Sequence, residues 1–146
     1  MPVLGVNVTK VEFEKKGIAA PPDRIEVNIT PKIKDLRLGK ANLPSGDLEG
    51  IEVLFRYEIN YRPDIAEGYV DGIVLYLPAR EDANLIIDEW EVSKKVDGEL
   101  VGEVLNFLTM ELAPVIMVIA KEMRIPYHLP LPRFEVQGLP QFSGPR

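Results

Sequence analysis

The sequence contains no cysteine and a single histidine, His128. Without cysteine the chain can form no disulfide bond, no thiolate nucleophile and no thiolate metal site. One histidine with no acidic residue at a fixed spacing from it does not form the ligand cluster that zinc requires. We therefore expect no metal and no cofactor, and we expect His128 to have a structural role. The lack of disulfides fits a cytoplasmic protein.

Basic clusters and catalytic motifs are missing as well. No run of Lys and Arg exceeds two residues and the formal net charge is −6, whereas nucleic acid is usually bound by a clustered basic surface. The chain has no glycine-rich phosphate loop after a strand and no serine in a nucleophile elbow. The acid pair Asp88 and Glu89 lies on the polar face of a predicted helix, as is typical of solvated side chains. We expect neither nucleic-acid binding nor enzymatic activity.

Segments that direct a protein to or across a membrane are not apparent. The amino-terminal sequence MPVLGVNVTK has no basic region followed by a long apolar core, so we expect no secretory signal. The most apolar stretch, residues 104–120, is short for a membrane helix and contains Asn106, Thr109 and Glu111. These features predict a cytoplasmic protein that does not insert into a membrane.

What is present is the composition of a globular protein, with 46% hydrophobic and 27% charged residues in a chain of 146. This length fits one domain with a sizeable core. We expect a single domain over residues 1–134 and a flexible tail over residues 135–146.

Alternation of apolar and polar residues predicts four strands. In residues 51–61 the apolar residues at odd positions alternate with mostly charged or polar ones, which gives one apolar face and one charged face and favours antiparallel pairing. A turn at Arg62, Pro63 and Asp64 leads into a fourth strand at 68–77. The first strand, 5–16, changes phase near Thr9 and Lys10 and should contain a bulge there.

The second strand, 25–33, contains Pro31, which cannot donate to a ladder and so favours an edge position. Residues 36–50 follow and are rich in Gly, Pro, Asn and Asp, which predicts a long crossover loop with spaced leucines. Two placements of these leucines remain open. They pack onto the core, or the loop is a mobile flap over an apolar groove.

Two helices follow the strands, at residues 81–95 and 100–123. The longer one is apolar nearly all round, because Phe107, Met110 and Met117 lie off its main apolar stripe. A single sheet face covers only one side of it, so we expect a homodimer or homotetramer. Pro114 predicts a kink or a break near residues 110–113. The predicted fold is α+β, a four-stranded antiparallel sheet with two C-terminal helices packed on one face.

This layout, and above all residues 87–134 with their Leu-Pro-Leu-Pro exit, resembles the SecB family of protein-export chaperones and SecB-like proteins. The resemblance implies a holdase that binds unfolded or non-native polypeptides along an apolar groove, without nucleotide or metal. The helical part lacks the aromatic, proline and arginine pattern of export SecB, and the tail differs from the one that contacts the translocation motor. Coupling to protein transport is therefore left open.

The resemblance places client binding near the crossover loop and the helices, where flexible methionines can repack against many side chains. Two alternatives stay open. The methionines fill the core instead, and the protein is an oligomeric adaptor or scaffold, or a small-ligand carrier. The residues expected to bind clients are Leu36, Leu38, Leu43, Leu48, Phe107, Met110, Met117, Tyr127 and Leu129.

Overall fold

The alternation of apolar and polar residues at 51–61 forms one of the two central strands of the sheet, as predicted. The structure, a computed structural model, describes residues 3–17, 24–44, 46–78, 83–96 and 98–130, except for the side chains of residues 41–43, 47 and 48. The tail at 135–146 and the domain boundary before it lie outside the described residues. The elements are β1 (Val3–Lys15), β2 (Glu26–Leu43), β3 (Gly46–Arg62), β4 (Ala66–Tyr76), α1 (Ala83–Ser93) and α2 (Gly98–Met123).

The fold is α+β, with a four-stranded antiparallel sheet and two C-terminal helices, which confirms the predicted class. The strand order is β1-β4-β3-β2, so β1 and β2 occupy the two edges. β2, β3 and β4 follow one another as hairpins, whereas the connection from β1 to β2 runs from one edge to the other. This is a Greek key. Pro31 lies on an edge strand, as its missing donor requires.

The predicted crossover loop at residues 36–50 is wrong. These residues extend the β2–β3 hairpin, which pairs continuously from Leu36 with Val53 to Leu43 with Gly46. The glycines that suggested a loop serve close packing instead. A Cβ added to Gly39 would lie 2.6 Å from Cγ of Glu52, and one added to Gly50 would lie 3.0 Å from the backbone oxygen of Tyr76. The connection that crosses the sheet spans residues 16–25.

Register places most apolar side chains of the strands on one face of the sheet, while Leu54, Ile73 and Leu75 lie on the other. The bulge in β1 is confirmed by a register shift between Val8 and Lys10, and β2 has a second shift between Ile33 and Asp35. The buried residues of β3 and β4 form the centre of the core: Ile51, Val53, Phe55, Tyr57, Ile59, Tyr61, Ala66, Val70, Val74 and Tyr76.

The two helices cover different halves of this apolar face. α1 packs on β2 and β3, and α2 packs on β1 and β4. The hydroxyl oxygens of Tyr57 and Thr109 lie 3.3 Å apart and link the centre of the sheet to the middle of α2. The buried stripe of α2 comprises Leu100, Val104, Leu108, Leu112, Ile116 and Ala120.

α2 is continuous through Pro114, so the predicted break is wrong. The alternative, a kink, stays a prediction. Proline within a helix costs about 3 kcal/mol through its missing hydrogen bond and ring clash. The fully buried Leu112 and Ile116 hold the helix on the sheet on both sides of this defect. The helix ends at Met123 because Arg124 has a φ of 56°, after which Ile125 N donates to the oxygen of Ala120 at 3.0 Å.

Candidate functional site

The solvent side of α2 carries an unusual apolar surface. Residues four apart lie on one side of a helix, so Met110, Pro114 and Val118 form a row opposite the buried stripe. Met110 is 80% exposed, Val118 is 61% exposed and the neighbouring Val115 is 42% exposed. Pro114 is exposed as well. We call Met110, Pro114, Val115 and Val118 the outer face of α2.

Soluble helices normally place charged or polar residues at such positions. Contiguous apolar surface on a soluble protein often marks a site of interaction with another macromolecule. The thioether of Met110 is flexible and polarisable, so it can adapt to partner side chains of different shape. The outer face of α2 can therefore bind apolar segments through burial and dispersion.

The client-binding residues predicted on and after α2 have different environments. Met110 is exposed, whereas Phe107 and Met117 are half-buried, and Phe107 packs against the core. Past the helix, Tyr127 is at the margin of exposure and Leu129 is half-buried. Of this group only Met110 offers most of its side chain to a partner.

The predicted leucines lie on the β2–β3 hairpin, on the half of the sheet covered by α1. Leu36 is buried, and Leu38 is 48% exposed. Leu43 and Leu48 lie near the hairpin turn, but their side chains are outside the described residues. Because α1 packs on β2 and β3 while α2 packs on β1 and β4, the predicted leucines of β2 and the predicted residues of α2 lie on different halves of the sheet.

A groove of about 370 Å³ lies between β2 and α1. Four apolar side chains and four charged side chains of both signs line the groove. The apolar ones are Leu36, Leu38, Ile87 and Trp90, and the charged ones are Asp35, Arg37, Glu91 and Lys94. We call this the β2–α1 groove.

Asp35 links the β2 side and the α1 side of the β2–α1 groove by hydrogen bonds. Its Oδ1 accepts hydrogen bonds from Leu36 N at 2.9 Å and from Trp90 Nε1 at 3.0 Å. The Lys94 ammonium lies 5.0 Å from the centre of the Trp90 ring. The buried Trp90 is thus fixed from two sides. The spacing of residues in the sequence does not connect Trp90 with Asp35.

The outer face of the sheet carries paired charges on β1, β3 and β4. Arg56 donates to both carboxylate oxygens of Asp71, at 2.8 and 2.9 Å, and its guanidinium lies 4.0 Å from the centre of the Tyr69 ring. The Tyr69 hydroxyl donates to Glu12 at 2.6 Å. The hydrogen bonds from Arg56 lower the pKa of Asp71, and the hydrogen bond from Tyr69 lowers the pKa of Glu12.

A shallow cavity of about 240 Å³ on this face is lined by four glutamates, Asn60, Gly68 and Tyr69. Among the described residues, no group of three His, Cys, Asp or Glu side chains could hold a metal ion. The pattern of crossed ion pairs is that of a solvated sheet surface, as the sequence suggested. The glutamates are Glu12, Glu14, Glu58 and Glu67.

His128 is buried just after α2, and neither of its ring nitrogens has a hydrogen-bond partner among the residues that the structure describes. Burial lowers the pKa of His128, because a charged imidazole would be desolvated there. A neutral ring packed among the residues that follow α2 fits the expected structural role.

α2 is long and apolar enough to cross a membrane by length and composition alone, a property that it shares with core helices of soluble proteins. In the described fold it buries a full stripe of side chains against the sheet. The expectation that it does not insert into a membrane stays a prediction.

Comparison with known proteins adds no relative. No family model matches the chain. The curated proteins contain no significant match either. The resemblance to SecB therefore stays a prediction that rests on the sequence pattern.

Proposed function

We propose that this protein is a SecB-like chaperone, a holdase that binds unfolded or non-native polypeptides without nucleotide or metal. The observation that carries the proposal is the outer face of α2, where Met110 and Val118 are largely exposed on a helix that is otherwise packed on the sheet. Full burial of a large apolar side chain contributes ~1.5–3 kcal/mol. A few such contacts give reversible binding of exposed apolar segments.

The architecture supports the same proposal at a coarser level. A sheet with two C-terminal helices on its apolar face is what the resemblance to SecB implies. The proposed protein works in the cytoplasm as a homodimer or homotetramer whose interface leaves the outer face of α2 uncovered, and coupling to protein export is not part of the proposal. Light scattering at micromolar concentration should give the mass of a dimer or tetramer, and a stable monomer with a folded α2 would contradict that part.

A second candidate is an oligomeric adaptor or scaffold of the same fold. The outer face of α2 also favours this function, because a second copy of the chain could cover it. The two functions differ in what the face contacts. A chaperone leaves it available to polypeptides of many sequences, whereas a scaffold closes it in a fixed interface.

The test compares two variants that place the same charge on helix surfaces of similar exposure. Val118→Glu alters the outer face of α2, where Val118 is 61% exposed, and Leu85→Glu alters the solvent side of α1, where Leu85 is 63% exposed. Each is added to a chemically unfolded, unrelated protein on dilution from denaturant, and aggregation is followed by light scattering. The wild type and Leu85→Glu should suppress aggregation at about one oligomer per client, and Val118→Glu should not.

The mass of each variant separates the two candidates. If Val118→Glu loses aggregation suppression at unchanged mass, the outer face binds clients. If Val118→Glu instead changes the mass and the wild type never suppresses aggregation, the chain is a scaffold and the chaperone proposal fails.

A further inference from the structure

We infer that Met110 is a reversible oxidation site: hydrogen peroxide converts its thioether to a sulfoxide, and the outer face of α2 then no longer binds clients. The inference deepens the proposed function and rests on it, because it assigns a regulation to the same face. Exposure, sulfur chemistry and the position of Met110 on α2 each support it.

The chain offers few sulfur atoms to an oxidant. It has four methionines and no cysteine, so no thiol of its own competes for peroxide. Met110 is 80% exposed, whereas Met117 and Met123 are half-buried and Met123 packs against the core. Met1 lies outside the described residues. Within the part of the chain that the structure describes, Met110 therefore carries the sulfur that peroxide reaches most easily.

The reaction needs only the thioether and peroxide. The sulfur of Met110 attacks one peroxide oxygen, and the O–O bond breaks as an S–O bond forms. The departing hydroxide takes the proton of the transferred hydroxyl and leaves as water, so sulfur loses the two electrons that peroxide gains. A methionine sulfoxide reductase reverses the change with a dithiol, which becomes a disulfide while the oxygen leaves as water.

A sulfoxide makes the outer face of α2 polar. Met110, Pro114 and Val118 form one row on the helix, and none of their side chains can donate a hydrogen bond. The sulfoxide oxygen is hydrated while the face is open, but an apolar client segment that covers it removes this water and supplies no donor. Oxidation of Met110 should therefore weaken client binding at least tenfold.

The fold should tolerate this modification because Met110 points away from the core. Leu108 and Leu112, on either side of it in the sequence, are fully buried and hold α2 on the sheet. The oxygen of an exposed sulfoxide stays in water, so its cost arises only when a client covers it. At Met123 the same oxygen would disturb the packing against the core. Oxidation of Met110 should thus lower client binding without lowering stability.

Peptide mapping tests the site. The full-length protein is treated with hydrogen peroxide, the excess is destroyed with catalase, and tryptic peptides are analysed by mass spectrometry. Met110 and Met117 fall in one peptide, residues 96–121, where fragment ions separate them, and Met123 falls in another. We expect Met110 to oxidise at least tenfold faster than Met117 or Met123. Equal rates, or faster oxidation of Met123, would overturn Met110 as the site.

Aggregation suppression tests the consequence. Once Met110 is oxidised, suppression of an unfolded client should require at least tenfold more protein, at unchanged oligomer mass and melting temperature. A methionine sulfoxide reductase with dithiothreitol should restore it.

Two variants serve as controls, each compared with itself before and after peroxide. Met123→Leu should lose suppression on oxidation as the wild type does, whereas Met110→Leu, which has no sulfur at this position, should retain whatever suppression it had before. If Met110→Leu does not suppress aggregation at all, restoration of the wild type by the reductase decides the question.

The proposed function and the oxidative switch fail in different ways. If the wild type suppresses aggregation and continues to do so after Met110 is fully oxidised, the switch fails and the chaperone stands. Loss of suppression together with an altered oligomer mass or a lower melting temperature would also overturn the switch, because oxidation would then act through the fold. If the unoxidised wild type never suppresses aggregation, the proposed function fails and the switch fails with it.

Discussion

Two of the solvent-facing surfaces of the domain, the outer face of the sheet and the outer face of α2, differ in polarity. On the sheet, Arg56 neutralises Asp71 and stacks on Tyr69, and Glu12 accepts from the Tyr69 hydroxyl. On α2, Met110 and Val118 expose apolar groups with no polar counterpart. The charges at the centre of this sheet face are paired with one another, whereas the helix surface is apolar and gains free energy when it is covered.

The difference shows that apolar composition does not decide which side of a helix enters the core. α2 is apolar on both sides, yet only the stripe from Leu100 to Ala120 is buried in the fold. The following predictions test whether the outer face of α2 is free of a structural role, beginning with the largest expected effect.

The largest effect is expected on the buried side of α2. Leu112→Ala should lower the free energy of unfolding by ~2–5 kcal/mol, because Leu112 is fully buried and truncation leaves a cavity. Met110→Ala on the same helix should change it by no more than ~0.5 kcal/mol. Urea unfolding of the two variants gives the comparison, and equal losses would mean that Met110 is a core residue.

A smaller effect is expected on the sheet surface. Asp71→Asn should lower the free energy of unfolding at neutral pH by about 1.5–3 kcal/mol, the contribution of hydrogen bonds to a charged group. Asp71 is buried and accepts two hydrogen bonds from Arg56. Glu14→Gln, at an exposed position of the same face, is the matched control and should have little effect.

The Asp71 contribution should also depend on pH. Its pKa in the folded protein is lowered from 3.8, so the ion pair stabilises the fold above this value and loses its contribution as the pH falls through the lowered pKa. The difference between wild type and Asp71→Asn should therefore shrink in acid. A difference that stays constant well below pH 3.8 would contradict the assigned role of the Asp71 charge.

A still smaller effect is expected where α1 joins β2. Asp35→Ala removes the acceptor for Trp90 Nε1 and for Leu36 N, and should cost about 0.5–1.5 kcal/mol for each hydrogen bond lost. Because Trp90 is the only tryptophan, its emission should shift towards that of an exposed indole in this variant. Unchanged emission together with unchanged stability would show that Asp35 does not hold α1.

Much of this fold follows from the sequence, because strands and helices have different periods. The phase change at Thr9 located the bulge in β1, and the alternation at 51–61 located β3. The β2–β3 hairpin was missed because Gly39 and Gly50 have the composition of a loop, although in the fold they permit close packing. Local sequence does not show which neighbour a glycine will meet.

The candidate site followed from the sequence only in part. Met110 was expected to bind clients because the resemblance places them along α2 and a flexible methionine adapts to many side chains; it is exposed, and its binding of clients stays a prediction. Leu36 had the same expectation but is buried. The bond between Asp35 and Trp90 joins residues 55 positions apart, and no periodicity in the sequence could reveal it.

The most direct test of the central claim, that the outer face of α2 binds non-native polypeptides, is methyl NMR of isotope-labelled methionine. The chain has four methionines, of which Met110 is exposed and Met123 packs against the core. On titration with a permanently unfolded protein, the Met110 methyl signal should shift or broaden saturably, while the Met123 signal stays in place. A Met110 signal that does not change while the client is shown by anisotropy to be bound would contradict the account.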